Sequence, residues 1–253
     1  MYCVKGGINM LKIENIEVYG WEAAIRGMRN PKNSWDKSDS YWDIDLSYTA
    51  QYIIGDNDLK LMKTLAKAGA DHGKFLRMIN VTMDVTAPLY WMKQLDYYKI
   101  GTTWNSCSTM HKIHDKEFTL DDFSHEHLFT YKDSDYDCDI CPRKADAYYE
   151  QWQSEDILKL IIEGLNKARD KYLETKIKPM KNEQARAELM KKYWWQMIQL
   201  LPSSYNQKRT IQLNYAVLKT MYFARKDHKL DEWHTFCDWI LSLPYFKEIC
   251  VED

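Results

Sequence analysis

The chain has 253 residues, 45% of them apolar, with ten Trp, eighteen Tyr, a formal net charge of −2 and a pI of about 6.4. That length suffices for one large domain with a sizeable core, and the balance of charge excludes the broad basic field with which a protein attracts duplex nucleic acid. No run of about eighteen apolar residues occurs, so no membrane span is expected.

The opening "MYCVKGGINMLKI" lacks the apolar core of a signal peptide, and Met10 suits an alternative start because "MLKIENIEVYG" reads as a first strand. Six cysteines in a long chain without an export signal point to reduced thiols and a cytoplasmic setting. Cys138 and Cys141 form one CxxC, with His125 and His127 upstream. No second ligand pair has finger spacing, so this is read as a reduced loop pair and no metal is expected.

Leu11, Ile13, Ile16 and Val18 alternate as a strand does, and "WEAAIRGMRN" then reads as a helix stopped at Asn30-Pro31. Residues 31–55 are polar and aromatic and are expected to form a loop. "GDNDLKLMKTLAKAGADHG" is a helix, capped by Asp56 or Asn57 and striped by Leu59, Leu61, Met62, Leu65 and Ala66. Phe75 to Val85 alternate as a strand ended near Pro88, and "LYWMKQLDYY" is helical. Residues 115–150 are acidic and irregular. "SEDILKLIIEGLNKARDKYLETK", with Ser154 as its cap, and "NEQARAELMKKYWWQMIQLLP" form an antiparallel helical hairpin joined around Pro179. Helical regions follow from about Lys208 to Lys226 and from Asp231 to Leu243. The fold class is therefore α+β: one domain over 1–253, with an inserted irregular and helical segment at about 115–190.

Between Thr102 and Thr109 six of eight residues carry a hydroxyl or a side-chain amide, in "QLDYYKIGTTWNSCSTMHK". Taken alone this is either a polar turn with Ser and Thr as caps or a lining of donors and acceptors for a ligand. The stretch resembles the signature QLxRHRxxSxNExSxRY of the flavin-dependent thymidylate synthase family. Gln94-Leu95 matches its front, and Thr103, Asn105 and Ser108 match its Ser, Asn and second Ser, with one extra residue between the halves. A second block is similar too: Leu201-Pro202, then Asn214, then Arg225 eleven residues on, a spacing that on a continuous helix puts both side chains on one face with Leu218 and Met221. "AGADHGKFLRMINVTMDVTAP" is similar to the segment around the family's flavin-side His, and His72 stands at that place.

The resemblance implies a small antiparallel sheet packed with several helices, and a homotetramer with sites shared between subunits. It implies an enzyme that methylates dUMP, or a close pyrimidine nucleotide, with methylene-tetrahydrofolate and reduced flavin, NADPH supplying the reducing equivalents. The resemblance implies that Ser108 and Arg225 are catalytic; that Gln94, Ser108 and Arg225 bind the nucleotide with Ser106, which stands at the family's Glu, and Lys112, one step beyond its Arg-Tyr; and that His72, Lys99, Thr103, Asn105 and Asn214 hold FAD. The departures are concentrated in charge. Anchored on Gln94, Tyr97, Tyr98 and Lys99 stand where the family has Arg-His-Arg, and anchored on Asn105, Tyr98, Lys99 and Ile100 do; Met110-His111 stand where it has Arg-Tyr, and Asp231 and Trp233 where it has Gln and Glu. Each lost charged hydrogen bond removes about 1.5–3 kcal/mol of anion binding. The alternative reading is thus a nucleotide-binding relative without flavin or catalysis.

Overall fold

The computed structural model describes residues 11–44, 50–129 and 153–252. In chain order the strands are β1 (Lys12–Tyr19), β2 (Tyr41–Ile44), β3 (Ala50–Ile53), β4 (Asn80–Pro88), β5 (Thr103–Ser106) and β6 (Asn206–Asn214). The helices are α1 (Trp21–Arg29), α2 (Asp56–Lys67), α3 (Leu89–Leu95), α4 (Ser154–Ile177), α5 (Glu183–Leu200), α6 (Tyr215–Arg225), α7 (Asp231–Leu241) and α8 (Phe246–Cys250). They divide between two compact units, one drawn from Leu11–Thr86, Lys93–Asn105 and Lys208–Asp253, the other from Ala87–Met92 and Ser106–Gln207. Among the described residues no helix is long and apolar enough to cross a membrane.

The first unit is built on a sheet of order β1-β4-β6-β5, in which β1 runs antiparallel to β4 from Lys12 opposite Thr86 to Tyr19 opposite Asn80. Strand alternation sorts the residues of β4 cleanly: Val81, Met83 and Val85 are fully buried, and Thr82, Asp84 and Thr86 take the other face. Ile211 and Leu213 of β6 join the buried set. On the opposite face Asp84 accepts from Asn15 (2.8 Å) and Thr210 (2.6 Å) and pairs with Lys208 (3.1 Å), so one carboxylate ties three strands together. These three donors hold its pKa down at about 2.

A single left-handed residue, Gly20 at φ 97°, turns β1 into α1, and a Cβ there would stand 2.1 Å from the Met78 carbonyl oxygen. α1 and α2 are joined by a buried ion pair. Arg29 Nε lies 2.6 Å from Asp58 Oδ1, with the two side chains 4% and 0% exposed. Asp58 Oδ2 also accepts from the Ser38 and Ser40 hydroxyls, both at 2.7 Å, while Arg29 donates to the carbonyls of Ser34 and Lys37. Burial opposes the charge on Asp58, but the bonds from Ser38, Ser40 and Arg29 outweigh it and leave the pKa below its ordinary value.

Three sequence expectations change in this unit. Residues 31–55 are not all loop, since β2 and β3 pair as a hairpin from Tyr41 opposite Ile53 to Ile44 opposite Ala50. Its strands are mostly exposed, so no buried face imposed an apolar alternation. The cap of α2 is not Asp56 or Asn57 but the remote Asp39, whose carboxylate accepts from the backbone N–H groups of Asn57 (2.9 Å) and Asp58 (3.1 Å). The stretch from Lys208 to Asn214 is strand rather than helix, and α6 begins only at Tyr215.

The second unit is the helical hairpin of α4 and α5, packed around Leu158, Ile162, Leu165, Ala168 and Met197 with Ile113, Phe118 and Phe123 from the preceding segment. The Asn166 side chain holds that segment by bonding both backbone groups of Phe118, at 2.9 and 2.8 Å. Ser154 is already helical and Gln153 precedes it without a side-chain cap, whereas Asn182 caps α5 through the Ala185 N–H at 3.1 Å. Cys138 and Cys141 lie outside the described residues; His125 bonds through Nδ1 with the Phe123 carbonyl at 2.8 Å.

Candidate functional site

Within the sheet unit, the last turn of α3, the 3-10 turn that follows it and the ends of α6 and α7 bring four side chains together. Gln94 stands beside the buried Leu95, and Tyr98 closes the 3-10 turn Asp96–Tyr98. Asn214 caps α6, its side-chain oxygen accepting from the Val217 N–H at 3.1 Å. Tyr215, Leu218 and Met221 then bury the inner face of the helix, which leaves Arg225 as its last residue. A guanidinium is favoured there by the negative end of the helix dipole.

Arg225 donates from Nε to the Tyr98 hydroxyl at 2.8 Å and from Nη1 to Gln94 Oε1 at 3.3 Å. The buried Trp233 donates from its indole nitrogen to the same Gln94 oxygen at 3.0 Å. The guanidinium carbon lies 4.9 Å from the centre of the Trp233 ring and 5.5 Å from that of Tyr98, so both rings attract the cation through their faces. His228 packs its ring 6.3 Å from Trp233, and burial, then the charge of Arg225, pushes its pKa down.

The turn between Tyr98 and β5 depends on Gly101 at φ 77°, where an added Cβ would stand 3.2 Å from Val217 and 3.3 Å from the Asn214 amide. Arg209 of β6 steadies the same turn, pairing with Asp96 and lying 5.7 Å from the centre of the Trp104 ring. Lys99, Thr103 and Asn105 are exposed, with Thr103 and Asn105 on one side of the edge strand β5 and Trp104 on the other. Among the described residues the buried Thr102 hydroxyl has no hydrogen-bond partner.

The structure therefore joins Gln94 to Arg225; Thr103 and Asn105 share one exposed side of β5, and Lys99 is exposed ahead of the Gly101 turn. It does not put Asn214 on a helical face with Arg225: Asn214 is the cap of α6, its oxygen engaged by the helix and its Nδ2 3.5 Å from the Gly101 carbonyl. Nor does His72 open a strand. It is exposed and precedes a 3-10 turn at Gly73–Arg77, with β4 starting only at Asn80. Ser106, Ser108 and Lys112 belong to the other unit. There Ser108 accepts the His111 N–H at 3.1 Å, as in an ordinary Ser turn, and Lys112 pairs with Asp115 at 3.0 Å. Tyr98 and Trp233 are the site members that motif matching passed over. Their signal was present as aromatics at places where the family carries charge.

No protein-family model matches the sequence, and no curated protein matches it. The structure, however, is similar to solved structures of thymidylate synthase X (ThyX) from Helicobacter pylori. One, with FAD and dUMP at 2.31 Å resolution, superposes with a TM-score of 0.58 at 12% identity over 95% of this chain and 97% of that one. A second, of the flavin-dependent ThyX of the same organism complexed with FAD and dUMP, gives a TM-score of 0.58 at 13% identity over 94% and 98%. The chain thus has the α+β fold of the flavin-dependent thymidylate synthases, as its motifs led one to expect.

Proposed function

We propose that the protein is a thymidylate synthase-like flavoenzyme that binds a pyrimidine nucleotide such as dUMP at the Gln94–Arg225 cluster and methylates it, with methylene-tetrahydrofolate and NADPH as co-substrates. The observation that carries this reading is the convergence of Gln94 and Arg225, 131 positions apart in sequence, onto one hydrogen bond. The two likenesses to proteins holding FAD and dUMP support it.

The residues fit an anionic flavin in part. Lys99, Thr103 and Asn105 offer an exposed ammonium, hydroxyl and amide, and these would hold a phosphate group. When bound, the flavin supplies the redox and one-carbon chemistry. The chain's own share is binding and orientation. Arg225 fixes the nucleotide by charge-assisted bonds, Gln94 gives a second bond beside it, and Tyr98 and Trp233 hold the guanidinium in one plane. Ser106, Ser108 and Lys112 are given no role in this reading, and a homotetramer is part of it through the motif resemblance alone.

A second reading, a nucleotide-binding relative without flavin, is favoured by two observations. Lys99 is the one cation among Tyr97, Tyr98 and Lys99, and the Asn214 carboxamide oxygen is engaged as a helix cap. An absorbance spectrum of untreated protein from about 300 to 500 nm separates the two, because the chemistry resides in the cofactor. The flavoenzyme shows a flavin band that bleaches with NADPH and dUMP. A colourless protein that reconstitution with FAD leaves colourless overturns that reading and leaves the second.

A further inference from the structure

Trp233 Nε1 and Arg225 Nη1 meet one atom of the Gln94 side chain, at 3.0 and 3.3 Å. Both can only donate, so the shared atom has to be the carbonyl oxygen, and the NH2 end of the amide is turned away from them. Tyr98 accepts from Arg225 Nε at 2.8 Å, which leaves its own hydroxyl hydrogen to give. Trp233 is fully buried and its ring also lies over the guanidinium. One indole thus sets both the plane of the arginine and the sense of the glutamine. An unrestrained Gln amide presents a donor or an acceptor by a half-turn. Here the half-turn would set NH2 against two donors.

We propose that Trp233 is a positioning residue that locks Gln94 with its oxygen inward, so that the cluster turns only donors toward a ligand: the Gln94 NH2, the remaining Arg225 N–H groups and the Tyr98 hydroxyl. The ligand group it selects is an anionic acceptor, of which a phosphate monoester is the nearest class. This rests on the reading that the cluster binds a nucleotide, but the lock itself exists without ligand and is tested separately. Trp233 stands where the family carries a Glu, so in this chain an N–H donor and a ring face occupy the place of a carboxylate.

Two variants of the full chain decide it. Trp233→Phe keeps a ring and removes the N–H. Gln94→Met, at a half-buried site, removes the shared acceptor. By nuclear magnetic resonance without ligand, the wild type shows separate, slowly exchanging Arg225 Nη protons, which merge in both variants. With dUMP as probe, Trp233→Phe weakens binding about tenfold, the loss of one held charge-assisted bond, and has no further effect in the Gln94→Met background. Deoxyuridine, which lacks the phosphate, is bound equally by wild type and variant. Unmerged Nη signals in Gln94→Met, or an equal loss from Trp233→Phe with and without Gln94, overturn the proposal. If Trp233→Phe does not fold, Gln94→Met alone carries the resonance test. A wild type that binds no dUMP sinks the nucleotide reading, while the Nη signals still decide the lock.

Discussion

Two carboxylates of the sheet unit show how the same group acts differently with depth. Asp58 is fully buried against Arg29, and a buried ion pair is worth most when only one partner is removed, since the other is left charged and desolvated. Asp58→Ala is expected to cost about 3–5 kcal/mol and to lower the melting temperature by roughly 10 °C in a chain of this size, measured by calorimetry. Asp84 lies on the open face of the sheet, and its pKa falls from 3.8 to about 2 through Thr210, Asn15 and Lys208. A depressed carboxylate stabilises the fold fully above its unfolded pKa and loses that contribution as pH falls through the folded one. Asp84→Asn should therefore melt below the wild type at pH 5, and the difference should close as the pH approaches 2. Carboxyl resonance titration of Asp84 gives the midpoint directly.

At the scale of the element, α6 is positioned by its first and last residues. Asn214 caps it and Arg225 ends it in the site. Asn214→Ala should cost about 1 kcal/mol through loss of the cap, read as a drop in denaturant midpoint with the slope unchanged, and it should loosen the Arg225 end of the same helix. The boundary that matters here was not legible beforehand. Lys208 to Asn214 alternates as a strand, but the inward position of Arg209 is polar, and it is buried with Asp96 paired to it and the Trp104 ring beside it. A buried arginine breaks the apolar period on which strand reading depends. The hairpin of β2 and β3 was hidden for the opposite reason, because neither of its faces is a core face. By contrast α1, α2, α4 and α7 were readable, each having a buried stripe, and β1 and α5 were readable from sequence pattern although β1 buries none of its residues and α5 only Met197. In the site, Gln94 and Arg225 were legible through motif spacing. Trp233 registered only as a missing charge and Tyr98 as a missing charge or a ring to stack on a ligand, since no local rule says that two rings will close over a guanidinium from another helix.

Across the whole molecule, the fold is that of the thymidylate synthase X structures solved with FAD and dUMP, while Lys99 is the one cation among Tyr97, Tyr98 and Lys99. Retaining Gln94–Arg225 while losing the basic triplet puts nucleotide binding ahead of flavin binding as the property to test. Removing Arg225 leaves the rings of Tyr98 and Trp233 in place but deletes the charged donor, a loss of about 1.5–3 kcal/mol, or roughly ten- to a hundredfold in affinity. The direct measurement is a calorimetric titration of dUMP into the full chain and into Arg225→Ala. Saturable binding by the wild type, weakened at least about tenfold in the variant, is what the account predicts; no binding, or binding of equal strength by both proteins, would contradict it.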